Sequence, residues 1–177
     1  MTKDLSTEAL KSRIRDVADF PKPGILFRDI TPLLADPAAL ALSIELMANR
    51  YRGQKIDLVV GTESRGFIFG TAVACALSVG FVPIRKPGKL PCHHVECSYE
   101  LEYGSDKLQM HADAVVRGQR VVIVDDLLAT GGTLKAALDM VSQLGGNIVG
   151  ISILIELMGL RGRDKLKPHP VHSVIQY

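Results

Sequence analysis

Residues Val121–Thr133 read VVIVDDLLATGGT. Val121, Val122, Ile123 and Val124 form a short run of β-branched side chains, the composition of a strand covered on both faces in a parallel sheet. Asp125 and Asp126 follow at its carboxyl end, where ligands gather in open α/β sheets. The loop Ala129, Thr130, Gly131, Gly132, Thr133 then opens a helical pattern. Its backbone N–H groups and the helix dipole make a receptor for one phosphate, and Thr130 and Thr133 add hydroxyl donors. It is not a Walker A loop, because the chain contains no G-x-x-x-x-G-K-[ST]. Two acids beside a phosphate receptor call for a ligand with different chemistry at its two ends. A sugar phosphate has that form: its phosphate occupies the loop, and the acids accept from its diol or hold a hydrated Mg²⁺.

The same strand–loop–helix order repeats on either side of this stretch. DLVVG (57–61), a helix within Gly66–Leu77 and FVPIR (81–85) precede it. A helix from about Thr133 to Leu144, closed by Gly145-Gly146, and the apolar strand NIVGISILIE (147–156) follow it. The pattern predicts an α/β fold with a mainly parallel central sheet and helices on both faces. Toward the N-terminus, Ser6 is expected to cap a helix carrying Leu10, Ile14 and Val17 on one face, ended by DFPKPG (19–24). ILF (25–27) is a short extended segment. Asp36 and Pro37 read as N-cap and first residue of a helix to about Arg50. VECSYELEYGSDKLQMH (95–111) alternates polar and apolar residues around Tyr103-Gly104, suggesting a two-stranded excursion from the sheet.

Composition narrows the classes. At 177 residues, with 47% hydrophobic and 23% charged residues, the chain fits one globular domain. A net charge of +2 is too small for a general nucleic-acid binder. The N-terminal segment lacks the apolar core of a signal peptide, and the longest apolar run, IVGISILI (148–155), is strand-sized rather than membrane-spanning. Three cysteines, Cys75, Cys92 and Cys97, do not make a disulfide framework, so a reduced cytoplasmic protein is expected.

Five blocks in fixed order, FPKPGILFRDITPLL (20–34), GTESRGFIFG (61–70), VPIRKPGKLP (82–91), SYELEYGSDKLQMH (98–111) and DDLLATGGT (125–133), resemble the adenine phosphoribosyltransferases, a type I phosphoribosyltransferase family. They span most of the chain from Phe20 to about Gly145. The resemblance implies the type I phosphoribosyltransferase fold as a single domain over residues 1–177, with a base-binding hood at about 20–35 and a mobile lid at about 90–111. It implies purine salvage: the phosphoribosyl group of phosphoribosyl pyrophosphate (PRPP) passes to adenine, giving AMP and pyrophosphate. Mg²⁺ would be bound through PRPP and water rather than by direct protein ligands, and the assembly would be a homodimer without nucleic-acid or membrane partners.

Residue roles follow from the same resemblance. Asp125 and Asp126 would hold the ribose side, and Ala129, Thr130, Gly131, Gly132 and Thr133 the 5-phosphate. Arg65, with Lys86 and Lys89, would neutralise the departing pyrophosphate, since a fixed guanidinium orients such an anion well. A cis Glu63–Ser64 peptide is expected in that loop. Arg85 is structural or meets the dimer partner. Glu102 would stand near the imidazole edge of the base and handle its proton, with Tyr103 beside it in the lid, keeping water from an oxocarbenium-like sugar. Phe27 and Leu157 would stack on the two faces of the base. A Leu26 carbonyl and an Arg28 N–H would read adenine's amino group and N1. Without the resemblance, the acids and cations read as solvated residues and Phe27 and Leu157 as core. Cys92, His93, His94 and Cys97 mimic a zinc cluster, but C-x4-C is not a usual knuckle spacing and adjacent histidines rarely share one ion, so lid variation is the better reading. Alternatives are a 6-oxopurine or orotate phosphoribosyltransferase and a non-catalytic PRPP-sensing regulator. ILIELMGL (153–160) offers no lysine to a 6-oxo group before Lys165, and the chain leaves no room for an added DNA-binding domain.

Overall fold

The structure, a computed structural model, describes residues 7–100 and 105–177. In chain order the elements are α1 (Thr7–Lys11), β1 (Arg15–Ala18), β2 (Leu26–Asp29), α2 (Thr31–Ala35), α3 (Pro37–Asn49), β3 (Leu58–Thr62), α4 (Gly66–Leu77) and β4 (Gly80–Ile84). Then come β5 (His94–Glu100), β6 (Ser105–His111), β7 (Arg120–Leu128), α5 (Gly132–Gln143), β8 (Asn147–Glu156), 3₁₀ turns at Met158–Leu160 and Gly162–Leu166, and β9 (Val171–Gln176).

Five strands form one sheet in the order β4-β3-β7-β8-β9, all pairs parallel. Parallel neighbours need crossovers, and α4 and α5 supply them for β3–β4 and β7–β8. Every residue of β3 is buried, as is every residue of β7 from Val121 to Asp126, which is why these segments read as continuous apolar runs. The pleat sends alternate side chains to two cores. Val121 and Ile123 pack with Leu134, Leu138 and Val141 of α5. Val122 and Val124 pack with Phe69 and Val73 of α4 and Met47 of α3. Asp36 caps α3 as expected, its Oδ1 accepting from the Ala38 and Ala39 N–H groups at 3.0 Å.

The first helix is shorter than the apolar spacing predicts. It ends at Lys11; Val17 lies instead in β1, paired with Phe27 of β2 in an antiparallel ribbon. Pairing with the next strand along the chain overrides a weak i, i+3 pattern. Ser6, the expected cap, lies outside the described residues. The sequence reading also missed α2 and β9, an edge strand carrying His172, Ser173 and Gln176 among its apolar residues. The excursion is present as β5 and β6, antiparallel from His94↔His111 to Glu100↔Ser105. Its base is no loose flap: Leu108 and Met110 are fully buried, and Arg85 and Gln109 exchange backbone hydrogen bonds of 2.8 Å.

Candidate active site

β7 carries its two acids into the sheet end as buried side chains. Asp125 is internally occupied: Thr62 Oγ1 donates to its Oδ2, and the Asp126 N–H donates to its Oδ1 at 2.9 Å. Asp126 differs. Arg65 Nε stands 2.9 Å from Asp126 Oδ2 as an ion pair, but it is not aligned as a hydrogen bond, and this buried oxygen has no hydrogen-bond donor among the described residues. Burial, reinforced by the charge of Asp126, raises the Asp125 carboxyl well above the usual range. Burial also raises Asp126, opposed by the Arg65 guanidinium. Such a pair gains from any diol donor or hydrated cation brought against it. No cluster of three or more His, Cys, Asp or Glu among the described residues is arranged to ligate an ion directly. The paired carboxylates suit a hydrated Mg²⁺ held through its ligand and water.

Beyond Leu128 the chain turns through Gly131, at φ +81°, into α5, and no side chain caps that helix. Such a helix start, with no side-chain cap, is one at which backbone N–H groups and the helix dipole can act together on an anion. Residues 63–65 and 125–134 line one cleft of about 260 Å³, so the loops after β3 and β7 face a common space.

The β3 side is built from charges. The Glu63–Ser64 peptide is cis. Arg65 lies at the start of α4, its guanidinium 5.3 Å from the centre of the Phe27 ring. Glu63 accepts from Arg85 Nε at 3.0 Å, from the Lys86 N–H at 2.9 Å and from Lys89 Nζ. Burial alone would raise the Glu63 carboxyl, but Lys89, the Lys86 N–H and Arg85 hold it down to about 2. Lys86 Nζ bonds Asp106 of β6, which also accepts from Tyr99 Oη at 3.2 Å. That bond to Asp106 raises the Lys86 ammonium, against burial.

The chain was compared with known proteins. The phosphoribosyl transferase domain model matches residues 29–174. The adenine phosphoribosyltransferase of Rhodopirellula baltica is 58% identical over 168 residues, covering 95% of this chain and 82% of that protein. That of Acidobacterium capsulatum is 53% identical over 176 residues, covering 99% and 97%. The chain belongs to the adenine phosphoribosyltransferase family. Solved structures agree with the fold. That of adenine phosphoribosyltransferase from Thermoanaerobacter pseudethanolicus matches with a TM-score of 0.95 at 52% identity, over 97% of this chain and 100% of that one. The Saccharomyces cerevisiae enzyme, complexed with D-2,5-dideoxy-2,5-imino-altritol 1,6-bisphosphate and adenine, matches with a TM-score of 0.90 at 41% identity, over 95% and 97%.

In this adenine phosphoribosyltransferase family member, the structure brings Arg65, Asp125, Asp126 and the loop from Ala129 to Thr133 into one cleft. Lys86 and Lys89 do not line it; Lys86 through its N–H and Lys89 through Nζ are tied to Glu63, which does. Phe27 is on the Arg65 side, with Phe20 edge-on to it at 5.1 Å. The Arg28 side chain is committed elsewhere, to Asp16 and to the Tyr177 ring 3.8 Å away. Leu26 is 47% exposed. Leu157 follows β8, its N–H donating to Leu128 O at 2.9 Å. Glu102 and Tyr103 lie outside the described residues. Of the zinc-like segment, Cys92 is exposed and its carbonyl lies 3.1 Å from His94 Nδ1. Sequence reasoning missed Thr62, Glu63, Tyr99 and Asp106. All four lie inside the quoted blocks GTESRGFIFG and SYELEYGSDKLQMH, but nothing local marks their roles: the three partners of Glu63 lie 22 to 26 residues away.

Proposed function

We propose that this protein catalyses the transfer of the phosphoribosyl group of PRPP to adenine, releasing AMP and pyrophosphate, as a cytoplasmic homodimer working with Mg²⁺. The observation that carries the reading is the buried Asp125–Asp126 pair directly before the uncapped, glycine-turned start of α5, with Arg65 across the same cleft. Mg²⁺, bound through PRPP and water, supplies positive charge at the diphosphate. The 5-phosphate takes the backbone N–H groups of residues 129–133 and the hydroxyls of Thr130 and Thr133. Asp126, at the cleft beside Arg65, accepts from the ribose diol, while Asp125, tied to Thr62, keeps the strand end rigid. Arg65, Lys86 and Lys89 receive the pyrophosphate, exchanging protein carboxylates for phosphate oxygens. Phe27 and Leu157 sandwich the base, and Glu102, with Tyr103 over the site, handles the base's proton at the imidazole edge. Catalysis is positioning and charge neutralisation, with no covalent enzyme intermediate.

Base choice rests on main chain. Leu26 and Arg28 are two apart on β2, so their backbone polar groups share one edge of the ribbon. A carbonyl from Leu26 and an N–H from Arg28 match adenine's amino donor and N1 acceptor, and hypoxanthine reverses both. The Arg28 side chain, bound to Asp16 and Tyr177, leaves its backbone as the group on offer. Two mismatched buried pairs at about 1–3 kcal/mol each give roughly 10²–10⁴-fold discrimination. The test is AMP formation from adenine and PRPP beside hypoxanthine, guanine and orotate. Adenine is expected to lead by at least about a hundredfold in kcat/KM; parity within about tenfold for another base would overturn the reading.

A further inference from the structure

The turn that follows β8 is pressed against the back of the loop assigned to the 5-phosphate. Gly162 and Gly131 meet backbone to backbone: a Cβ on Gly131 would stand 2.5 Å from the Gly162 carbonyl oxygen. A Cβ on Gly162 would stand 2.9 Å from the Gly131 nitrogen and 2.8 Å from Leu128 Cδ1, and would collide with the Ala129 carbonyl oxygen. These neighbours are mostly backbone, so one of the two segments would have to move. Gly159, in the same connection, has nothing within 4 Å of such a Cβ. The close contact is therefore local to Gly162.

What holds Gly162 there is its neighbour. Arg163 Nε and Nη2 grip both oxygens of Glu156 at 2.9 and 2.5 Å, and Nη1 donates to Val171 O at 2.8 Å. Ser173 Oγ donates to Glu156 Oε2 at 2.6 Å. Glu156 is almost fully buried and is the register partner of Leu128, the last residue of β7 before the loop. A closed chain of contacts thus runs from the end of β7 across to Glu156, through Arg163 to Gly162, and back onto Gly131. A bidentate guanidinium fixes direction as well as distance, as a wall behind a donor loop requires.

We propose that the Gly162–Leu166 turn is the rear wall that sets the conformation of the phosphate loop, with Arg163 a positioning residue and Gly162 the contact through which it acts. The inference rests on the 5-phosphate reading of residues 129–133. Donor loops lose binding when displaced by fractions of an ångström, so the effect should fall on the phosphate end of the ligand and spare the base.

The experiment measures KM for PRPP, KM for adenine and Kd for AMP in Gly162→Ala, Arg163→Met and Arg163→Lys, with Gly159→Ala as control and Thr133→Val as a probe of the loop. Gly162→Ala and Arg163→Met should raise KM for PRPP and Kd for AMP by about tenfold to a hundredfold, with KM for adenine within about twofold. Arg163→Lys should recover part of the loss and Gly159→Ala should match the wild type. If Arg163→Met fails to fold, Gly162→Ala decides alone. Wild-type PRPP and AMP constants in Gly162→Ala, with Thr133→Val impaired, would overturn the wall and leave the phosphate reading standing. Equal losses for adenine and PRPP, or an equal effect of Gly159→Ala, would also overturn it. Unchanged AMP affinity in Thr133→Val would instead remove the phosphate reading on which the wall depends.

Discussion

Under the proposed assignment, the two sides of the site meet anions in opposite ways. On the β7 side the receptor is backbone: an uncapped helix start, a left-handed glycine and neutral N–H groups. On the β3 side it is side-chain charge, and each cation assigned to pyrophosphate already has a carboxylate: Arg65 has Asp126, Lys89 has Glu63 and Lys86 has Asp106. Backbone donors cannot rotate away and need no counter-charge, so that half is organised before ligand arrives. Three clustered cations would repel one another, and internal acids neutralise them until a phosphate replaces the acids. The permanent 5-phosphate fits the first design and a departing pyrophosphate the second.

The largest effect should come from the acids that join the halves. Asp126→Asn removes the charge that pairs with Arg65 at the cleft, and kcat/KM for PRPP should fall about a hundredfold with little change in Tm. Asp125→Asn should lower Tm as well, since one of its two internal donors, Thr62 Oγ1 or the Asp126 N–H, would meet an NH₂ group. Steady-state kinetics beside thermal melts check both; a stable, fully active Asp126→Asn would break the comparison where it is sharpest.

Arg65→Ala should act on one half only. Measured in the reverse reaction, KM for pyrophosphate should rise about tenfold or more while Kd for AMP stays near wild type. The opposite pattern would mean that the two loops are assigned the wrong way round.

The smallest effect concerns Glu63 and shows in stability against pH. Its folded pKa is lowered from 4.5 to about 2, so its contribution is fully present above 4.5 and is lost as pH falls toward 2. Glu63→Gln should be less stable than wild type at neutral pH, and the gap in Tm should close between about pH 4.5 and 2. A gap that does not vary with pH would show that the carboxylate charge is not what binds Arg85 and Lys89.

The sequence by itself determined the sheet strands β3, β4, β7 and β8, the helices α3, α4 and α5, and the position of the glycine loop between β7 and α5. Each is written in short-range physics: apolar runs for doubly covered strands, Asp36-Pro37 for a helix start, a glycine pair for a turn into a helix. Family resemblance then attached roles to these places. Only the tertiary structure decided that Val17 belongs to a strand, that Asp125 is tied to Thr62 while Asp126 pairs with Arg65, that Glu63 gathers Arg85, Lys86 and Lys89, and that Gly162 backs Gly131. These relations join residues 10 to 63 positions apart. Nothing local marks them, because a carboxylate's partner and a glycine's clearance depend on which chain segment the fold brings alongside.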